Sequence, residues 1–228
     1  MIKRLAIIPA RGGSVRLKNK NIKLFYKKPI INHVINAIEN SKIFYKIHVS
    51  TNSIKIKNVV EKNNIKIDFL RPDYLSNNTT PLVKVINYVL KEYQKKEIYF
   101  DEIWLIYSTA VLLESIDFKK AAKLLTNNKI KNLITVTKYP VPIEWAYRIH
   151  NGYLKPVSEA SIIKDSKTFN QSFFENASFV AYKINKNKNY IDKISKFFPY
   201  ELPIWKSADI DDKDDWDIAK KMYVLKKK

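Results

Sequence analysis

Apolar residues along this chain fall into short blocks, some continuous and some recurring every three or four positions. Leu5 to Ile8 is a continuous run closed by Pro9, the pattern of a strand buried on both faces. A loop from Ala10 to about Lys23 follows. Pro29-Ile30-Ile31 then leads into a stretch where Ile31, Val34, Ile35 and Ile38 recur at helical spacing. Tyr45 to Ser50 reads as the next strand, Ile54 to Lys62 as the next helix, and Ile65 to Leu70 as a third strand ending at Arg71-Pro72. Thr79-Thr80-Pro81 opens a further helix, with Thr as cap and Pro in the first turn; Val85, Ile86, Val89 and Leu90 make its apolar face. Asp101 to Tyr107 is the most apolar strand, Phe118 to Leu125 the helix after it, and Leu133 to Thr137 another strand. This alternation predicts an α/β domain with a mainly parallel central sheet and flanking helices.

From Tyr139 to about Pro199 the pattern changes: aromatics, prolines and turn signals crowd together and helical spacing weakens. The expectation is an α/β domain from residues 1–139 and 200–228, interrupted by a small antiparallel insertion at 140–199 that packs over the sheet or against a partner subunit. Phe169, Phe173 and Phe174 in that insertion read as core or dimer contacts. After Pro203 an acidic run leads into a last helix carrying Trp216, Ile218, Ala219, Met222 and Tyr223.

A hydrophobic fraction of 46% over 228 residues supports one sizeable core, so wholesale disorder is excluded. With no cysteine there is no disulfide framework, thiolate zinc site or thiol nucleophile. No stretch approaches a membrane span and the N-terminal apolar run is too short for a signal peptide, so a cytoplasmic location is expected. The net charge of +20 raises the rival reading of a nucleic-acid-binding protein. Its basic residues, however, are almost all lysines scattered through the chain, with only five arginines, and no recognisable binding module appears. Solvated surface with a general bias toward anionic ligands is the better account, and the terminal Lys226-Lys227-Lys228 reads as a frayed tail.

The chain has three glycines, and two of them, Gly12 and Gly13, sit together just after the first strand. Glycine lets backbone N–H groups converge on an anion with no Cβ in the way. Ser14 adds a hydroxyl, and Arg11, Arg16 and Lys20 can neutralise phosphate charge. Loops at the carboxyl ends of parallel strands are where open α/β sheets bind ligands. The glycine spacing fits neither a Walker A loop nor a dinucleotide fingerprint, and a tight turn with incidental lysines is the plain alternative. Near the other end, Asp209 and Asp211 are two apart in an extended stretch and share a face. Such a pair can hold one Mg²⁺ alongside phosphate oxygens, or it can be helix capping plus solvated charge. His33, His48 and His150 lie outside these motifs and read as structural.

The run Ile8-Pro9-Ala10-Arg11-Gly12-Gly13-Ser14 with Lys20-Asn21 resembles the signature of acylneuraminate cytidylyltransferases, the CMP-sialic acid synthetases. Leu70-Arg71-Pro72 with Thr79-Thr80-Pro81, and Asp209-Ile210-Asp211-Asp212 through Trp216, are similar to later segments of that family in the same order. Tyr107-Ser108-Thr109-Ala110 and Tyr139-Pro140-Val141-Pro142-Ile143 resemble its pseudaminic acid cytidylyltransferase branch. The resemblance implies a Rossmann-like nucleotidyltransferase fold and transfer of CMP from CTP to a nine-carbon sugar acid, with Mg²⁺ as cofactor and a homodimer as the assembly. It implies a nucleotide site from Ala10, Arg11, Gly12, Gly13, Ser14, Arg16, Lys20, Asn21, Arg71 and Thr80. Arg11, Lys20 and Asp211 become the catalytic set, and Asp209 and Asp211 the metal ligands, with Asp214 or Asp215 capping the helix. Tyr107 and Thr109 contact the sugar, for which pseudaminic acid is favoured over sialic, legionaminic and Kdo-type acids. Val15 stands where the family usually has Lys.

Overall fold

The computed structural model describes residues 2–14, 16–184, 190–191 and 196–226. Val15, Lys227 and Lys228 lie outside them, so the readings made there are not addressed. The first strand, β1 (Arg4–Pro9), is followed by a small hairpin of β2 (Leu24–Phe25) and β3 (Lys28–Pro29), then α1 (Ile30–Ser41) and β4 (Lys46–Ser50). Next come α2 (Ile54–Glu61), α3 (Leu82–Gln94), β5 (Glu102–Ile106), α4 (Ser115–Leu125) and β6 (Asn132–Lys138). A hairpin of β7 (Tyr147–His150) and β8 (Tyr153–Pro156) and a single helical turn, α5 (Glu159–Ile162), lead to β9 (Phe173–Lys183). The chain then passes through β10 (Phe198–Glu201) to α6 (Lys213–Leu225).

Six strands form one sheet in the order β10-β6-β9-β5-β1-β4. Parallel pairing joins β1 to β4 and to β5, and β6 to β10, while β9 runs antiparallel between β5 and β6. Every side chain from Leu5 to Ile8 is fully buried, because helices cover both faces. Ala6 and Ile8 pack toward α1 and α4 with Val34, Ile35 and Phe118; Leu5 and Ile7 pack toward α3 with Ile86, Val89 and Leu90. Burial of each such side chain stabilises by roughly 1.5–3 kcal/mol. The sheet is thereby a rigid platform whose β1 and β5 carboxyl ends carry the residue 11–20 and 107–109 loops.

Two parts of the sequence expectation need correction here. Residues 65–70 are extended but join no strand. Ile65 and Ile67 plug the core as single pegs, and the backbone bonds elsewhere: Ile67 N–H to Glu61 Oε1, and Leu70 C=O to the Tyr88 hydroxyl. Extended apolar alternation without a ladder looks the same in sequence as a strand. Secondly, the irregular span expected over 140–199 contains β9 and the start of β10, so the main sheet draws two strands from it. The expected antiparallel hairpin is β7–β8, within the narrower stretch 139–172. Phe173 is exposed and Phe174 packs edge-on against Tyr139, so neither belongs to the described core.

A third cluster, Leu17, Phe25, Ile30, Val111, Leu112, Ile210 and Trp216, joins the loop after β1 to the segment before α6. It sets the position of the site. Lys226 is no frayed tail: its ammonium donates to the Leu112 and Leu113 carbonyls.

Candidate active site

One open cavity of about 690 Å³ lies at the carboxyl ends of β1 and β5, a size ordinary for a small-molecule site. Its lining includes Arg11, Ser14, Arg16 and Lys20, the pair Asp209 and Asp211, and Arg71, Thr80 and Tyr107–Thr109. The early basic loop and the late acidic pair, nearly two hundred residues apart in the chain, therefore share one space. Lys20 Nζ donates to the Ile210 carbonyl at 2.7 Å and to Asp211 Oδ1 at 2.9 Å, and Arg16 Nη2 pairs with Asp211 Oδ2. The Lys20 hydrogen bond and the charges of Lys20 and Arg16 hold the Asp211 carboxyl below its usual range. Asp209 goes the other way, raised by its packing in the cleft wall and then by the neighbouring Asp211 charge. No hydrogen bond reaches the Asp209 carboxylate among the described residues.

Arg71 is the most unusual group. Its side chain is 5% exposed, and neither Nε nor Nη2 has a hydrogen-bond partner among the described residues. Burial, and then the positive charge of Arg11 nearby, push its guanidinium down to about 10. Two guanidiniums converging on a cavity without a carboxylate between them form a receptor for an anion.

Other expected residues act indirectly. Ala10 is fully buried and hydrogen-bonds Ser50 through its backbone. Gly12 turns its N–H to Asn52 Oδ1 at 3.1 Å, and a Cβ there would stand 3.0 Å from Ser53 Cβ. Close packing against the start of α2 is what requires that glycine, and its N–H is not aimed at an anion. Gly13 is exposed and outside the cavity lining. Asn21 is buried, giving an N–H to the Arg11 carbonyl (3.0 Å) and accepting from Ser108 Oγ (2.7 Å). It ties the basic loop to the β5 loop. Thr79 and Thr80 do not cap α3, whose N-cap is Pro81; both hydroxyls donate to Asn77 Oδ1. The cap of α6 is Asp212, which accepts from the Asp215 N–H, with Asp215 returning the bond as the box partner.

Sequence reasoning passed over Ser108, Asn77 and Asn78, which also line the cavity. The signal that could have found Asn77 is the Asn77-Asn78-Thr79-Thr80-Pro81 run, since an Asn side chain bonds the backbone two residues on in such turns. The three histidines are structural or peripheral: His33 bridges the Phe25 carbonyl and the Tyr223 hydroxyl, His48 is buried, and His150 lies exposed on β7.

The metal expectation can be judged by the donor set. No cluster of three His, Cys, Asp or Glu side chains occurs among the described residues. The cavity lining carries the two carboxylates of Asp209 and Asp211, which suits a hard cation whose other ligands are phosphate oxygens and water. No helix of the described residues is long and apolar enough to cross a membrane.

Comparison with known proteins gives the family and the fold. Residues 5–212 match the cytidylyltransferase family model. The pseudaminic acid cytidylyltransferase of Campylobacter jejuni is 29% identical over 227 residues, covering 97% of both chains. The CMP-N,N'-diacetyllegionaminic acid synthase of Legionella pneumophila is 28% identical, covering 97% of this chain and 96% of its own. Among solved structures, CMP:2-keto-3-deoxy-manno-octonic acid synthetase with CTP superposes at a TM-score of 0.71 with 11% identity, over 98% of this chain and 99% of the other. That likeness concerns the fold. The chain belongs to the cytidylyltransferase family and is a CTP-dependent nucleotidyltransferase.

Proposed function

We propose that this member of the cytidylyltransferase family moves CMP from CTP onto a nonulosonic acid, pseudaminic acid being the favoured acceptor, and releases pyrophosphate. The observation that carries the reading is the shared cavity of Arg11, Arg16, Lys20 and Arg71 with Asp209 and Asp211. In the reaction the anomeric hydroxyl of the sugar attacks the α-phosphorus and the bond to the β-phosphate oxygen breaks. Such transfer depends on positioning and on neutralising charge at the phosphoryl oxygens. Arg11, Arg16, Lys20 and Arg71 supply that charge. Asp209 and Asp211 would hold Mg²⁺, which neutralises phosphate charge and lowers the pKa of a bound hydroxyl. Support for pseudaminic acid comes from the name of the Campylobacter relative and from Tyr107.

The test is pyrophosphate release with CTP, Mg²⁺ and a panel of nonulosonic acids. Turnover is expected with CTP and at least one of these acids, and preference for UTP or ATP would overturn the reading. Asp211→Ala is expected to reduce turnover more than a hundredfold; activity within a few-fold of wild type removes Asp211 from the site.

The reading extends to a homodimer. Tyr147, Ile149 and Leu154, on one face of the β7–β8 hairpin, are 49%, 78% and 67% exposed, an apolar strip that a second copy would cover. Sedimentation of a monomer at micromolar concentration would remove this part.

A further inference from the structure

Strand β9 carries a large irregularity where it pairs with β6. Ile134 and Val136, two residues apart, face Val180 and Glu175, five residues apart. The surplus is taken up at Asn176, Ala177 and Ser178, and Ala177 sits at φ +48°, a left-handed conformation that a Cβ disfavours. In a regular strand Glu175 and Val180 would point to opposite faces; the bulge puts them on the same one. Bulges of this kind re-aim a side chain beside a binding site.

What is re-aimed here is Glu175. Its Oε1 accepts a bond from the Tyr107 hydroxyl at 3.4 Å, and Tyr107 lines the cavity. The same bulge holds the other end of Tyr107, since the Ser178 carbonyl accepts the Tyr107 N–H at 3.0 Å. Asn176 is buried and anchors the bulge by donating to Thr137 Oγ1 at 2.9 Å. Glu175 itself is exposed, so its carboxylate keeps acceptor sites free beyond the single long bond from Tyr107.

We propose that Glu175 is a specificity-determining residue, accepting a hydrogen bond from an acylamino N–H of the acceptor sugar at the Tyr107 end of the cleft. This rests on the cytidylyltransfer reading above. A carboxylate there attracts N–H donors and repels an anion, so the sugar's own carboxylate must lie at the basic end of the cavity. Tyr107, pinned at both ends by the bulge, sets the distance.

The experiment is steady-state kinetics of wild type, E175Q and E175A with CTP and two acceptors, diacetylated pseudaminic acid and N-acetylneuraminic acid, which differ in the number of acylamino groups. Thermal melts of all three proteins show whether each is folded. The KM for the diacetylated acid is expected to rise about tenfold in E175A, as for a lost hydrogen bond to a charged group. The KM for CTP and kcat at saturation stay within twofold, and E175Q, which retains one amide oxygen as acceptor, falls between. An unchanged acceptor KM in a folded E175A overturns the role of Glu175 while leaving the activity intact; so does an equal rise in the KM for CTP. Wild type without turnover on any acid overturns the underlying reading and this one together.

Discussion

Lys206 and Arg71 are both almost fully buried, 8% and 5% exposed, yet their surroundings are opposite. The Lys206 ammonium lies 2.7 and 2.9 Å from the Asp117 oxygens and 2.9 Å from Glu114 Oε2, and Asp117 is itself fixed by the Glu114 N–H at the start of α4. Among the described residues Arg71 meets no carboxylate by hydrogen bond, and it has Arg11 as its charged neighbour. His48 is a third buried base, resolved in yet another way: burial pushes its imidazole down to about 3, so it is neutral in the folded protein. A buried charge must be paired, surrendered or left to wait for a ligand. Pairing marks a clamp of the fold. A cation left unpaired beside a cavity marks a receptor.

The contrast breaks most visibly at Lys206. Lys206→Met strands Asp117 and Glu114 without their cation and is expected to cost about 3–5 kcal/mol, lowering Tm by about 10 °C in a chain of this length. A melt unchanged from wild type would end the clamp argument. Arg71→Met is expected to behave in reverse, with Tm held or raised and kcat/KM for CTP reduced about a hundredfold, or about 2.7 kcal/mol. Comparable destabilisation of both variants would make Arg71 a structural residue.

His48 sharpens the comparison through pH. The unfolded chain takes up a proton at this site below about 6.5 while the folded chain does so only near 3. Stability is therefore lost as pH falls through that window, by about 2 kcal/mol at pH 5. Urea denaturation at pH 7 and pH 5 measures this, and His48→Gln should remove that share of the slope. The smallest effect lies at Ala177, where the backbone carries a conformational cost beside the cleft. Ala177→Gly is expected to gain up to about 1 kcal/mol, read as a slightly higher urea midpoint; a loss would mean the Ala methyl is packed to advantage.

Much of this could be read from the chain because the signals were local. A continuous apolar run stopped by proline and an Asp-x-Asp step each announce their geometry within a few residues, whereas the glycine pair marks the loop without cradling an anion, Gly12 being set by packing on Ser53. Failures came where a long-range partner decided the outcome. Ile65 to Leu70 has strand character, but no neighbour pairs with it. Phe173 to Lys183 hid because the bulge breaks its alternation, leaving Glu175 with no pattern to single it out. Arg71 was legible as a basic residue before a proline; its burial and lack of a partner depend on packing from α3 and on Arg11. Asp212 was hidden among five neighbouring aspartates, and only the box geometry separates cap from metal wall.

The placement of β9 also bears on synthesis. Strands β5 and β6 are joined only through β9, which leaves the ribosome after both. Until residue 183 has emerged, β1, β4 and β5 form one half-sheet and β6 a stray ribbon, each with an unsatisfied edge. Assembly must therefore wait for late, distant pairing, which is slow and exposes a nascent chain to aggregation. A stalled product ending before Phe173 would leave the two parts apart, whereas one ending after Lys183 could join them, with Tyr200 and Leu202 of the core still to come.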